Sequence, residues 1–400
     1  MSRAARLRDV QTKATTRLAD QVRHLRERGV EPINLATARP DFDTPWAIKE
    51  ATREAIAEPH TYVVYSESRG LIELREAIAA KLRYENGIEV DPGEQLLITA
   101  GTHEALSVAL QALLDPGDEV VLVDPSWVAY QGMVRLAGGV PTFTTLRAGR
   151  LDEDDLRAAI TPRTKAILVN NPNNPTGTVL TRQELEGLAR VAQEHDLLVI
   201  TDEIYEHFLY DGRQHVSLAT LPGMAERTLT INGVSKAYAM TGWRVGYAAG
   251  PSWWIEAMLL VHQHFISAPC TFAQKGAVAA FTVAKDAYAE MVAAYTRRRA
   301  ALAAGLTSLG LQVTPPEGAC FYFPRFPGGL SSQELSDLFL ERAGLMLTPG
   351  SAFGPSGEGH LRLSFASLPE SQVPEVVRRM ENVMDELAAS RMEGKGKERA

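Results

Sequence analysis

The sequence is poor in the features that define several large protein classes. It has two cysteines, Cys270 and Cys320. Both sit in apolar runs, SAPCTF and GACFYF, and neither has a neighbour at metal-ligand spacing. That excludes a disulfide framework and reads as two reduced, buried thiols. No apolar stretch approaches the length of a membrane-spanning helix. The opening MSRAARLRDVQTKATTRLAD has no apolar run after its basic residues, so it is not a secretory signal. A cationic excess is also missing: 41 Lys and Arg stand against 49 Asp and Glu, a formal net charge of −8. Such a balance argues against nucleic-acid binding. There are no internal repeats and no low-complexity insert. The expectation is a cytoplasmic protein with neither a membrane nor a nucleic acid as partner.

What is present is ordinary globular material: 400 residues, 45% hydrophobic and 22% charged. That length predicts two domains, or one large domain with a lobe. Short β-rich runs at Gln95–Ala100, Glu119–Val123, Lys165–Val169, Leu197–Thr201, Arg227–Ile231 and Val245–Ala249 predict strands. Helical spacing over His103–Leu114 and Arg182–His195 falls between them. Continuous Val/Ile/Leu strands separated by helices imply an α/β fold with a parallel sheet covered on both faces. DPGDE at Asp115–Glu119 and LPGM at Leu221–Met224 punctuate the pattern. From Leu309 onward short strands, GACFYFPRFP and HLRLSFA, flank a helix at Ser332–Ala343, which reads as a smaller α+β domain. The expected division is 1–45 joining the small domain, 46–308 the large domain, 309–390 the small domain and 391–400 a disordered polar tail.

In open α/β sheets, ligands bind at the carboxyl ends of the strands. That rule selects Gly101–His103, Asp124–Trp127, Asn170–Gly177, Asp202–Tyr205 and Gly233–Lys236. Their compositions carry chemistry. NNPNNPTG (Asn170–Gly177) is either a rigid loop or a stiff platform presenting an amide to a ligand. In TDEIYE (Thr201–Glu206) a strand-end Asp is often only a helix cap. Desolvated in a pocket, it must meet a cation. NGVSKAYAMTGWRVGY (Asn232–Tyr247) sets Lys236 and Arg244 among small residues that let the backbone approach a ligand closely.

NPTG, DEIY, SxxK-like and GWRxGY motifs in this order resemble the aspartate-aminotransferase superfamily, fold type I enzymes that use pyridoxal 5′-phosphate (PLP). The resemblance runs from INLATARPDFDTP (Ile33–Pro45) to HLRLSFA (His360–Ala366). It implies a large domain with a mostly parallel seven-stranded sheet, a smaller α+β domain, and transfer of an amino group between an amino acid and a 2-oxo acid. It also implies residue roles. Lys236 carries PLP as a Schiff base and shuttles a proton. A free lysine, with a usual pKa of about 10.4, is protonated near neutral pH and cannot do so. Asp202 pairs with the pyridine nitrogen, which makes the ring an electron sink. Asn174 and Tyr205 bond the cofactor's 3′-oxygen, and Trp127 stacks on its ring, unless Trp127 simply packs a strand end. The amides of Gly101, Thr102 and His103 hold the phosphate, with Ser235 and Arg244. Tyr65 matches a tyrosine that reaches the phosphate of a neighbouring subunit, which implies a homodimer. Arg362 binds the substrate carboxylate, or else is an outward strand arginine.

Two departures concern the substrate. Relatives read GEPDF or GxPDF where this chain has ARPDF, so Ala38 replaces a glycine and Arg39 an acidic or small residue. Either Arg39 or Arg17 binds an anionic group on the substrate, or both are surface residues. Gly233 stands where some relatives place a phosphate-binding serine, and no arginine for a second carboxylate is evident around Phe265–Phe272. Two other readings stay open. One is a lyase, cyclase or C–C bond-forming enzyme using the same cofactor. The other is a ligand-binding regulator, which the lack of a helix-turn-helix segment before residue 33 disfavours.

Overall fold

The computed structural model describes residues 4, 7, 10, 25–27, 29, 31–59, 65–327 and 329–397, with side chains as far as 389. Arg17 lies outside the described residues. Strands β1 to β8 are Ile33–Asn34, Leu96–Thr99, Glu119–Asp124, Val140–Thr145, Thr164–Asn170, Leu198–Asp202, Thr228–Gly233 and Gly246–Ala249. Seven of them form the central sheet, in the order β2-β8-β7-β6-β5-β3-β4. Strands β2, β3, β7 and β8 are buried along their whole length, as expected of strands covered on both faces.

The pairing is parallel except at β8, which runs antiparallel to both β7 and β2. A parallel step needs a crossover long enough to cover the sheet. The link from Gly233 to Gly246 has no helix to provide one, so the chain doubles back. The run at Val140–Thr145 was not among the predicted strands. VPTFTT carries a proline, is only partly buried and lies at the sheet edge, where Pro is tolerated and the hydrophobic signal is weak.

The helix Arg182–Glu194 is opened by a capping box, Thr181 with Glu184, and Ser332–Ala343 by Ser331 with Glu334. Each cap stabilises its helix by about 1 kcal/mol. At Ser332–Ala343 the chain stops on Gly344, at φ 62°.

The remaining strands are β9 to β12, at Phe321–Tyr322, Leu345–Met346, Thr348–Pro349 and Leu361–Ser364. They form a three-stranded sheet, β11-β12-β9, and a parallel pair of β1 with β10. The segment around Ile33 is thereby joined to the C-terminal part of the chain. One hydrophobic cluster unites Leu35, Phe321, Leu345, Leu363 and Phe365. The helix Ala289–Ser308, although it precedes residue 309, adds Met291, Tyr295, Leu302 and Leu306 to that cluster.

One expectation is corrected. Cys320 is buried, but Cys270 is exposed, immediately before the helix Thr271–Phe281. The closing helix runs from Val373 to Lys397. Met, Glu, Lys and Arg are good helix formers and extend a helix already anchored by Val373, Val376, Met380 and Val383. Among the described residues no helix is long and apolar enough to cross a membrane.

Candidate active site

The five strand-end segments converge on one cavity of about 320 Å³. Its lining includes Ala38, Thr102, His103, Trp127, Asn174, Asp202, Tyr205, Ser235, Lys236, Arg244 and Arg362, all selected from the sequence. The rule that ligands sit beyond strand carboxyl ends is therefore met by the tertiary structure.

Three basic side chains, Lys236, Arg244 and Arg362, and the Asp202 carboxylate line the cavity. Lys236 follows β7 and donates from Nζ to the carbonyl of Ala38 at 2.6 Å. Burial depresses its pKa from the usual lysine value, although Cys320 and Asp202 oppose that shift. Asp202, at the end of β6, is 3% exposed. Burial pushes its pKa up to about 6. Its Oδ1 accepts the Ile204 amide at 3.2 Å, and its Oδ2 accepts the Tyr130 hydroxyl at 2.8 Å.

Arg362 lies on β12 and is buried, so it is not an outward strand arginine. Its Nη1 donates to Asn174 Oδ1 at 2.9 Å, and its Nη2 donates to the Ala36 carbonyl. The guanidinium lies 4.6 Å from the Phe321 ring centroid and 4.9 Å from that of Phe353. No carboxylate pairs with it among the described residues, and its buried Nε has no acceptor. Burial lowers its pKa to about 10. A buried arginine in this state is a receptor for an anion that fits its planar fork.

The side wall is aromatic. Trp127 stands edge-on to His103, with centroids 4.6 Å apart, and edge-on to Tyr130 at 5.4 Å. It is only partly buried: it lines the cavity and also packs against the hydrophobic cluster that includes Tyr130 and Met133. Asn170 fixes two neighbours at once: its Oδ1 accepts the Asn174 amide at 2.7 Å, and its Nδ2 donates to the Asp202 carbonyl at 2.8 Å.

At the far end, the helix Thr102–Leu113 points its N-terminus at the cavity. Gly101 differs from expectation. Its amide already donates to the Thr99 carbonyl at 2.8 Å, and it does not line the cavity. The donors at this helix start are then the amides of Thr102 and His103. Gly101 has φ 81°, and a Cβ there would meet the Arg244 guanidinium. Arg244 itself sits at φ 58°, a conformation uncommon for a side chain of its size. It donates to the carbonyls of Thr241 and Ala100, both at 3.0 Å.

Gly233, in place of a serine, has a packing reason. A Cβ there would lie 2.8 Å from the Gly246 Cα and 2.9 Å from the Val245 carbonyl. Close approach of β7 and β8 excludes any side chain at that position.

Two sequence candidates lie elsewhere. Tyr65 is 92% exposed and does not line the cavity. Arg39 is exposed and lines an adjoining cavity of about 760 Å³ with Thr37, Thr241, Glu375 and Arg379. Thr37 and Thr241 line both cavities. Sequence reasoning missed Tyr130, Asn170 and Thr348 as lining residues. Asn170 was within a selected loop. Tyr130 gave no signal, since nothing in PSWVAY announces a partner on β6.

Beneath the cavity floor, the turn after Asp202 is anchored by buried polar groups. Glu203 Oε2 accepts Ser217 Oγ at 2.7 Å and lies 2.8 Å from His215 Nε2. Glu206 pairs with Lys81 and accepts from Asn86 and Asn232, each at 2.6 Å.

The family model of aminotransferases class I and II matches residues 30–380 of the chain. The chain belongs to that family. It is 45% identical to the aspartate/prephenate aminotransferase of Thermus thermophilus over 376 residues, 92% of this chain and 94% of that one. It is 43% identical to aromatic-amino-acid aminotransferase 2 of Thermococcus litoralis over 367 residues, 90% and 93% of the two chains. Among solved structures, the aspartate aminotransferase of Thermus thermophilus with maleate superposes with a TM-score of 0.90 at 42% identity, covering 96% of this chain and all of that one. This aminotransferase keeps the seven-stranded, mostly parallel sheet of such structures.

Proposed function

We propose that this aminotransferase moves an amino group between an amino acid and a 2-oxo acid with pyridoxal 5′-phosphate held on Lys236. The observation that carries the reading is one cavity holding a lysine of depressed pKa, a buried carboxylate with room for a cation, and a buried arginine without a carboxylate. Those groups fit the cofactor and substrate together. When bound, pyridoxal phosphate supplies an aldehyde that condenses with amines and a protonated pyridine ring that accepts electron density from Cα.

The protein's own groups do the rest. Arg362 takes the α-carboxylate of either substrate, with Nε and the outer edge of its fork as donors. Asn174, bonded to that fork, couples carboxylate binding to the cofactor's 3′-oxygen, where Tyr205 is the second donor. Asp202 holds the proton on the pyridine nitrogen. Lys236, its ammonium form disfavoured by burial, would take the proton from the substrate Cα onto Nζ and hold it there for delivery to the carbon of the cofactor's aldehyde group. Trp127 covers one face of the ring and excludes water. The amides of Thr102 and His103, the Ser235 hydroxyl and the Arg244 guanidinium hold the phosphate.

Tyr65, on the surface of one protomer, is assigned to the phosphate site of a second copy, which makes the active form a homodimer. Arg39, at the rim, is assigned to an anionic group on the substrate side chain. The division at 45, 308 and 390 belongs to the same reading. The test is reduction of the PLP-loaded protein with borohydride, then peptide mapping, together with transfer of a ¹⁵N label from amino acid to 2-oxo acid. The cofactor mass should be fixed on Lys236 and the label should move. A mass on another residue, or an amino acid consumed without transfer, overturns the proposal.

A further inference from the structure

Tyr130 has no assigned role, yet it makes the only side-chain hydrogen bond to the Asp202 carboxylate among the described residues, at 2.8 Å from the phenol oxygen to Oδ2. It is 1% exposed. It opens the helix Tyr130–Leu136, its amide bonded to the Trp127 carbonyl at 3.0 Å. The turn that aims Trp127 at the cavity therefore also aims the phenol at Asp202.

We propose that Tyr130 is a positioning residue that holds the Asp202 carboxylate in place and ionised for the cation it must meet. The inference rests on the functional reading above. With Tyr130 on Oδ2 and the Ile204 amide on Oδ1, both carboxylate oxygens are tethered where Asp202 borders the cavity. A donor to the charged form favours that form, against burial, which favours the neutral one. The phenol is itself a permanent donor: burial first, then the neighbouring Asp202, push its pKa well above the usual tyrosine value. The other titratable groups facing Asp202 are Lys236 from the loop after β7 and Glu203 and Tyr205 from its own turn. His103, from the helix Thr102–Leu113, lines the same cavity. Of these, only Tyr130 donates to the carboxylate.

The experiment compares wild type with Tyr130→Phe, which keeps the ring beside Trp127 and removes one oxygen. In the cofactor-free proteins, the infrared carboxyl band of Asp202, identified by its loss in Asp202→Asn, is titrated against pH. The phenylalanine variant should titrate higher by roughly one to two pH units, the worth of a hydrogen bond to a charged group. In the loaded proteins, the acid limb of kcat should move upward with it, while KM for the amino donor stays the same. Fluorotyrosine placed at position 130, a stronger donor, should move the band to lower pH, and it provides the test if the phenylalanine variant does not fold. Coincident Asp202 titrations in these proteins overturn the proposal. If wild type fails to fix cofactor on Lys236 while the titrations still differ, the functional reading fails and the Tyr130–Asp202 coupling stands.

Discussion

Asp202 should make the cofactor-free protein less stable than it could be. Burial raises its pKa from the usual 3.8 to about 6. At about 1.36 kcal/mol per unit, the ionised carboxylate costs folding about 3 kcal/mol at neutral pH. The sign follows from proton binding. The folded form holds the proton more tightly than the unfolded chain, so the penalty is absent below pH 4, grows between 4 and 6, and is constant above. Asp202→Asn removes the charge and keeps the contacts, since the amide oxygen can accept from Ile204 and the amide nitrogen can donate to the Tyr130 oxygen. The variant without cofactor should therefore be about 3 kcal/mol more stable at pH 7 and no more stable at pH 4. With an unfolding entropy of about 2.1 cal/mol/K per residue over 400 residues, the gap is about 4 °C in Tm. Melting curves of both proteins across that pH range decide the matter. A variant that is no more stable at pH 7, or a gap that does not close on acidification, refutes the reasoning. The opposite ranking is expected with PLP bound, because the carboxylate then has its cation.

Other perturbations follow from the same geometry. Arg362→Lys keeps the charge but loses the fork, and kcat/KM should fall roughly 10- to 100-fold for amino and oxo substrates alike. An equal value for either substrate would place its carboxylate elsewhere. Gly101→Ala puts a Cβ where the Arg244 guanidinium lies, at a φ of 81°, so cofactor affinity measured by fluorescence quenching should drop. Lys81→Met leaves the buried Glu206 carboxylate without its ammonium and should cost about 3–5 kcal/mol in denaturant titrations. Burial alone would push the Glu206 pKa up, but Lys81 and the nearby histidines hold it well below the carboxylate range. Wild type should thus lose this contribution only as the pH falls through that depressed value. Arg39→Ala should narrow the preference for acidic over neutral amino donors, and unchanged selectivity would make Arg39 a surface residue.

Local sequence carried much of the fold because the central strands are uniformly apolar and bounded by turn residues. LLIT, EVVLVD and LVITD announce buried strands without any knowledge of their neighbours. VPTFTT did not, because an edge strand half in water needs no such run. The site was legible for a related reason. A strand that ends in Asp or Asn after a run of apolar residues is placing a polar group where the sheet stops, and sheets of this kind bind ligands there.

What the chain determines by itself is most of the central strands and the strand-end segments that carry Asn174, Asp202, Tyr205, Lys236 and Arg244, because composition is local; Arg362 was legible only through the resemblance to a family. Only the tertiary structure decides how these groups are tuned. The reversal of β8 accompanies a link that forms no helix to cover the sheet. The loss of the Gly101 amide to Thr99 depends on one backbone turn. The buried Nε of Arg362 and the raised pKa of Asp202 depend on how completely neighbouring segments exclude water. Tyr130 reaches Asp202 across 72 positions of sequence, because β3, β5 and β6 bring their carboxyl ends together. Burial and long-range hydrogen bonds are properties of the packed chain, and no window of sequence contains them.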